Sequence, residues 1–459
     1  MDESRIREAL REATDTQEVV IGDGASDRVT EVFEATFGDS ATVVVADENT
    51  FDVAGEKITQ ELGAGGREVI EPFVFPGRPT LHADYENVKS LTRALHGHDA
   101  IPVAVGSGTI NDIVKRASHE CQRPYMTVAT AASMDGYTSF GASITKDGFK
   151  QTMECSAPRA VVADLAVLMK APPSMTSSGY GDLLAKITAG ADWILADSLE
   201  VEPIKDKVWS LVQGPLRAAT GHPAGLHTGD AGAMKALIEG LIMSGLAMQA
   251  ASSSRPASGA EHQFSHLWEM EGLGEDPEDG QLPLSHGFKV AVGTVSIAAL
   301  YERVLARDLD SLDIAAAVRA WRSWDEVEKR VREAFAGTPL EDASVAETRA
   351  KYTDAAGLAR RLELLADRWS ETRDRVRKQI LAAEQVRAQL ERADCPSSPV
   401  DIGLDLDRFK RSYRRAQMIR RRYTILDFAN EAGILDECVE ELFADRGFWA
   451  TLQGATRGG

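Results

Sequence analysis

The chain has 459 residues, 43% of them hydrophobic and 27% charged, and its 51 lysines and arginines face 71 aspartates and glutamates for a net charge of −20. This is the profile of a globular protein of two or three domains, and its acidity argues against nucleic acid or an anionic membrane as a partner. Four cysteines, Cys121, Cys155, Cys395 and Cys438, lack CxxC or CxH spacing, which argues against a disulfide framework and a cysteine zinc cluster.

The opening MDESRIREALREATD reads as a charged helix without the apolar core of a signal peptide. ATVVVAD (41–47) is a β-rich run with a polar tip, and TFDVAGEKITQEL (50–62) has helical period. EVIEPFVF (68–75) is a second strand and NVKSLTRALHG (87–97) a helix. AIPVAVGSGTIND (100–112) is a buried strand running into a glycine turn, IVKRASHEC continues as a helix, and PYMTVATA (124–131) is the next strand. Such alternation predicts a parallel sheet covered by helices. Beyond about residue 170, helical period dominates at 181–199, 231–251, 289–308, 313–335, 343–391 and 405–443, and β-rich runs nearly vanish. The expected organisation is α/β followed by all-α: a parallel-sheet domain over 1–170 and a helical domain over 171–459, with a charged helical insert about 310–395. ADCPSSPVDIG (393–403) is a turn-rich break. The basic run from Arg408 to Arg422 is expected to be a helix paired with the excess carboxylates, with an RNA- or membrane-binding strip as the alternative. The apolar runs fall short of a bilayer span, so a cytoplasmic location without membrane insertion is expected.

Several segments carry groups suited to a site. VAVGSGTIND (103–112) brings Gly106-Ser107-Gly108 to the start of a helix, where backbone N–H groups meet a pyrophosphate, unless the turn is only a strand-to-helix connection. Asp47, at the tip of its strand, either accepts the ribose hydroxyls of an adenosine, favouring NAD(H) over NADP(H), or caps the next helix. TVATAASMDGYTS (127–139) offers the hydroxyls of Thr130, Ser133 and Ser139 with the acid Asp135, as ligand contacts or as a loop's own capping network. In GYGDLLAKITAGADW (179–193), Asp182 starts a helix behind two glycines, as its cap or as a metal ligand between domains.

SGAEHQFSH (258–266) places His262 and His266 on one helical face, and His286 in LPLSHGFKVAVG opens another helix. An aspartate with histidines and no cysteine suits Zn²⁺, Ni²⁺ or Fe²⁺, and three protein ligands leave an open position for chemistry. An HExxH protease is excluded, because the glutamate precedes the first histidine and Gln-Phe-Ser between the two holds no base.

Taken in order, GSGTIND, TAASMDGYTS, GYGDLLAK, SRPASGAEHQFSH and SHGFKVAVG resemble the sn-glycerol-1-phosphate dehydrogenases, within the superfamily of glycerol dehydrogenase, iron-containing alcohol dehydrogenases and dehydroquinate synthase. RRRYTILDFANEAGIL (420–435) resembles the C-terminal segment of the bacterial members. The resemblance implies a dehydroquinate synthase-like fold, with a Rossmann-like α/β domain, an all-helical domain and the site in the cleft between them. It implies NADH- or NADPH-linked reduction of dihydroxyacetone phosphate with one bound divalent metal.

Carried over by motif, Asp182, His262 and His286 would hold the metal, and His266 and Asp135 would act at the substrate. Gly106, Ser107, Gly108 and Asn111 would meet the pyrophosphate, Thr127, Thr130 and Ser139 the nicotinamide half, and Asp47 the adenosine ribose. Lys150, Lys186 and Arg255 are candidate partners for the substrate phosphate, and a homo-oligomer, dimer or higher, is expected. The alternatives are a related metal-dependent polyol or sugar-phosphate dehydrogenase, a phosphate-eliminating cyclase of the dehydroquinate synthase type, a non-catalytic relative of the fold, and a helical scaffold.

Overall fold

The computed structural model describes residues 3–64, 66–146, 149–274 and 283–450. Eight strands form: β1 (Glu18–Gly22), β2 (Thr42–Asp47), β3 (Val69–Phe75), β4 (Ile101–Gly106), β5 (Met126–Ala129), β6 (Ala142–Lys146), β7 (Phe149–Met153) and β8 (Ala160–Asp164). Six make one parallel sheet in the order β1-β8-β5-β4-β2-β3, while β6 and β7 form a separate antiparallel hairpin. Alternate residues serve opposite faces of the sheet. Val44, Val103, Val105 and Val162 pack against Val29, Phe33, Ile58 and Leu62, whereas Val43, Val45 and Ala104 pack against Val88, Leu91, Ile113 and Val114. Both faces are therefore dry, and each fully buried valine contributes roughly 1.5–3 kcal/mol.

The described elements after β8 are helical. Their core is continuous with the sheet, since Ala129, Val161 and Ala163 join the cluster of Leu183, Leu241, Val295 and Trp369. The N-terminal helix Glu3–Glu12 also places Ile6 and Ala9 in that helical core. The helix Ala231–Ala251 has the length and composition of a membrane span, contrary to the sequence reading, but 78% of its apolar window is buried inside the protein.

The long helical runs are subdivided. The 313–335 run splits into Ile314–Ala320 and Trp324–Phe335, the second started by a capping box between Ser323 and Glu326. The 343–391 run is three helices, Glu341–Lys351, Ala355–Gln379 and Ala383–Arg392, and the 405–443 run is Leu406–Met418, Ile425–Glu431 and Leu435–Phe443. The 181–199 run is two helices, Pro173–Leu184 and Lys186–Ser198, meeting at Ala185. Asp182 is consequently in the last turn of the first helix and is not a helix start; Pro173 occupies the first turn, where its missing N–H costs nothing.

The basic run is mostly neutralised in place. Arg408 and Arg415 both pair with Glu271, Lys410 with Glu440, Arg414 with Asp436 and Arg421 with Glu347.

Candidate metal centre and cofactor cleft

Three helices converge on one point. Asp182 comes from Pro173–Leu184, His262 from Ala260–Met270 and His286 from the first turn of His286–Leu305, whose start is capped by the Ser285 hydroxyl accepting the Phe288 N–H at 3.3 Å. Glycines let these helices approach closely. A Cβ on Gly287 would lie 2.0 Å from the Ser178 carbonyl oxygen, and one on Gly181 2.7 Å from the Gly287 carbonyl oxygen. One ligand atom from each of Asp182, His262 and His286 then lies within 4.8 Å of the others.

The second nitrogen of each ligand histidine has an acid. His262 Nδ1 is 2.8 Å from Glu261 Oε1, and His286 Nδ1 is 2.7 Å from Glu269 Oε1. A carboxylate on Nδ1 fixes the proton there and leaves Nε2 with its lone pair, which is how metal-binding histidines are oriented. His262 Nε2 faces Asp182 Oδ1 at 3.5 Å. Burial alone would raise the Asp182 carboxyl, but the Lys186 ammonium and the histidines outweigh it and hold it well below the usual carboxylate range. Asp182 thus stays anionic, as a ligand must.

Lys186 Nζ is 2.6 Å from Asp182 Oδ1 and 2.9 Å from Asp135 Oδ2, fully buried. Asp135 also accepts from the Ser244 hydroxyl at 2.8 Å, and its own main-chain N–H donates to Asp182 Oδ2 at 3.0 Å. Two corrections follow. Lys186 is committed to two carboxylates and is not available to a substrate phosphate. Arg255 is buried as a strut, donating to the carbonyls of Tyr423 and Asp192 at 2.8 Å each. Lys150 lies on β7, and its side chain is outside what is described.

His266 sits one turn beyond His262, with ring centroids 6.0 Å from His262 and 5.9 Å from His286. Its Nδ1 is 3.3 Å from an Arg420 guanidinium nitrogen. Arginine only donates, so Nδ1 accepts and the ring proton resides on Nε2. Burial first, then Arg420, push this ring well below its ordinary pKa, so it is neutral at pH 7.

At the carboxyl ends of the sheet strands, Asp47 terminates β2 and Gly106 terminates its neighbour β4. Beyond β2 the strand order reverses, with β3 on one side and β4, β5 and β8 on the other, and open parallel sheets bind ligands at such a point. Ser107 precedes the helix Gly108–Glu120 without capping it through its side chain, which leaves the first-turn N–H groups for a ligand. Asp47 does cap: its Oδ1 accepts the Thr50 N–H at 2.9 Å within a capping box. Thr130 and Ser139 are on the loop after β5, Thr130 tied by its N–H to the Gly106 carbonyl at 3.1 Å and Ser139 by its hydroxyl to the Gly136 carbonyl at 3.1 Å.

Asn111 and Thr127 are a further correction. Both are 1% exposed, and Thr127 donates to Asn111 Oδ1 at 2.7 Å. They clamp helix to strand inside the fold and are not exposed to a dinucleotide.

A model of the iron-containing alcohol dehydrogenase family matches residues 20–172. The glycerol-1-phosphate dehydrogenase (NAD(P)+) of Geobacillus thermodenitrificans is 31% identical over 403 residues, 86% of this chain and 87% of that protein. The protein of the same name from Halalkalibacterium halodurans is 38% identical over 269 residues, 58% of this chain and 66% of its own. The chain belongs to the glycerol-1-phosphate dehydrogenase family. Its fold is also that of a probable glycerol dehydrogenase from Sinorhizobium meliloti, with a TM-score of 0.58 at 15% identity, covering 93% of this chain and 98% of that one.

Around the family's motifs stand residues that sequence reasoning missed. Lys115 is buried and donates to the carbonyls of Gly136, Ser139 and Gly141 at 2.8, 2.9 and 3.1 Å, shaping the loop that carries Asp135. Gly245 lets the helix Ala231–Ala251 lie against that loop, where a Cβ would meet Thr138 Oγ1 at 2.2 Å. Glu261, Glu269, Ser244 and Arg420 complete the surroundings. Of these, Glu261 carried a signal as the neighbour of His262, and Arg420 lay in the basic run and in the RRRYTILDFANEAGIL segment without a site role assigned to it.

Proposed function

We propose that the protein catalyses the reversible, NAD(P)-linked and metal-dependent reduction of dihydroxyacetone phosphate to sn-glycerol 1-phosphate. One observation carries this: Asp182, His262 and His286 converge within 4.8 Å, with both histidines oriented by buried carboxylates, in a chain whose relatives bear that activity as their name. The donor set, one aspartate and two imidazoles, suits Zn²⁺, Ni²⁺ or Fe²⁺. When bound, such an ion would supply Lewis-acid stabilisation to the oxygen of the reacting carbonyl, and the nicotinamide would supply hydride.

The chain's own groups do the rest. Lys186 bridges Asp182 and Asp135, fixing both carboxylates relative to one another. His266, neutral and protonated on Nε2, hydrogen-bonds the alcohol oxygen through that N–H and orients it, while the proton that completes reduction comes from solvent water and returns to it in oxidation. Asp135, held by Ser244 and Lys186, orients the substrate hydroxyl next to the carbonyl. On the sheet side, the Gly106–Gly108 turn receives the pyrophosphate, and Thr130 and Ser139 the nicotinamide half. Asp47 favours NAD(H) by repelling a 2′-phosphate with the carboxylate oxygen not used for capping. The division of labour largely follows the chain, with the cofactor residues and Asp135 on residues 1–170 and the metal ligands and His266 on 171–459, in a cytoplasmic homo-oligomer.

The test is NADH oxidation by metal-stripped and metal-restored protein with dihydroxyacetone phosphate, dihydroxyacetone and glyceraldehyde phosphate, with the product's stereochemistry determined. Metal-dependent turnover of the first to the sn-1 product is expected; no turnover with any of them overturns the reading.

A further inference from the structure

The lysines and arginines described in and beside the motifs are already engaged and leave a dianionic substrate without a counter-ion. Lys186 is bound by two carboxylates and Arg255 by two carbonyls. Lys289, one turn beyond His286, is buried and has a partner of its own. The surroundings are otherwise acidic, with Asp135, Glu261 and Glu269 close to the histidines.

Arg420 differs from every paired cation of the 408–422 run. Where Arg408, Lys410, Arg414, Arg415 and Arg421 each hold a carboxylate, Arg422 is spent on the Ser258 carbonyl and the Ser254 hydroxyl and Arg411 is exposed, Arg420 has no carboxylate within bonding distance among the described residues and lies against the histidine cluster. Its hydrogen bond is to His266 Nδ1, which takes one of five guanidinium N–H groups. It is half-buried, a setting in which a charge-assisted bond is stronger than in open water.

Its position is fixed from behind. The segment between Leu406–Met418 and Ile425–Glu431 is tied on either side of Arg420. Glu347 accepts the Arg421 main-chain N–H at 2.7 Å, Thr348 donates to the Met418 carbonyl at 3.0 Å, and Gln263 donates to the Arg422 carbonyl at 3.1 Å. Gln263 follows the ligand His262, so the segment is anchored to the metal helix itself.

We propose that Arg420 is the anchor for the substrate's phosphate and the residue that makes the site prefer a phosphorylated ketone over the free one. The proposal rests on the reading above of a phosphorylated substrate at the histidine cluster. With the carbonyl at the Asp182–His262–His286 group, the ester phosphate lies a few bonds away. Arg420 stands one imidazole ring away, on the far side of His266 Nδ1. A guanidinium fork matches two phosphate oxygens at once, which a point charge does not. His266 is thus held between the oxygen its Nε2–H orients and the cation that binds the other end of the same molecule.

The test compares full-length, metal-loaded wild type with Arg420→Ala and Arg420→Lys. The ratio of kcat/KM for dihydroxyacetone phosphate to that for dihydroxyacetone should fall on the order of 100-fold in R420A and about tenfold in R420K. Calorimetric binding of inorganic phosphate to the metal-loaded protein should weaken on the order of tenfold or more in R420A. Should R420A not fold, judged by metal content and melting temperature, R420K carries both readouts. An unchanged ratio, whether both substrates lose activity together or neither does, overturns the proposal, because a role confined to holding His266 lowers both equally. Wild type that reduces only dihydroxyacetone overturns the phosphorylated-substrate reading instead. In that event phosphate binding unaffected by Arg420→Ala overturns the anchor as well.

Discussion

The metal-binding triad depends on helices that pass closer than side chains allow, and Gly287→Ala tests that dependence. An added Cβ would lie 2.0 Å from the Ser178 carbonyl oxygen and 2.6 Å from its carbon, both backbone atoms that cannot rotate away. Relief needs a separation of about 1 Å between the helices Pro173–Leu184 and His286–Leu305, since overpacked contacts are relieved by backbone shifts that cost typically 1–3 kcal/mol. Those two helices carry Asp182 and His286, and metal ligands tolerate displacements of only about 0.2 Å. Loss of metal affinity of at least about tenfold is therefore expected, on the scale seen when the surroundings of a ligand are disturbed.

The assay is competition of the stripped protein with a chromogenic chelator, together with melting temperatures with and without metal. Bound metal raises the melting temperature according to its affinity, so the metal-induced increment should shrink in the variant. Gly63→Ala is the control. Gly63 lies exposed near the end of the helix Glu56–Ala64, where an added Cβ meets only the Val69 side chain at 3.6 Å, and alanine there should leave metal binding unaltered and raise stability by at most about 1 kcal/mol. If G287A binds metal as wild type does and melts within a degree or two of it, the close crossing is not what sets the site.

His262→Ala should abolish metal retention and turnover together, whereas His266→Ala should keep stoichiometric metal and lose turnover; equal metal loss in both would refute the division between ligand and hydrogen-bond donor to the substrate. Asp47→Ala should raise KM for NADH more than KM for NADPH, and an equal change would refute its role at the ribose. Glu431, buried with Tyr423 and Arg361 as partners, is pushed up to about 7 by burial, against the lowering effect of Arg361. A carboxyl raised in the folded state contributes stability that is complete below its unfolded pKa of 4.5 and is lost as pH rises through about 7. The melting temperature of Glu431→Gln relative to wild type should therefore increase between pH 5 and 8, by the equivalent of at most about 3 kcal/mol. A pH-independent difference would show that Glu431 ionises as it does in the unfolded chain.

What the sequence disclosed depended on how locally each feature is encoded. The strands near 41–47, 68–75, 100–106 and 124–131 are β-branched runs that stop at glycine or a polar residue, and they form. EVVIG and AVVAD form β1 and β8, but a run of four apolar residues or fewer, without alternation, does not separate a buried strand from a helix segment. Helical period runs on through short interruptions, so it fused helices whose breaks were marked only by caps such as Ser323, Asp354 and Thr424. Asp182, His262 and His286 stood in recognisable motifs, and the structure brings them together. Asn111 and Thr127 stood in motifs too, yet they face each other. A motif gives the residue type, whereas the neighbouring helix decides which way it points.

The least legible part of the chain was the charged helical stretch expected as an insert at about 310–395, and its packing explains why it lies beside a site it does not line. Arg375 and Arg368 of Ala355–Gln379 bind Asp197 and the Ser198 carbonyl at the end of Lys186–Ser198, the helix that begins with the lysine bridging Asp182 and Asp135. Glu347, Thr348 and Lys351 of Glu341–Lys351 grip the chain at residues 417–421. The insert thus supports the site from two sides, bracing the metal-side helix and the segment that presents Arg420 to His266. Arg420 and His266 are 154 residues apart, so neither the contact nor the brace behind it leaves a periodic or short-range trace. These helices leave the metal ligands untouched and act instead on the segment that carries Arg420, the proposed anchor for the substrate's phosphate.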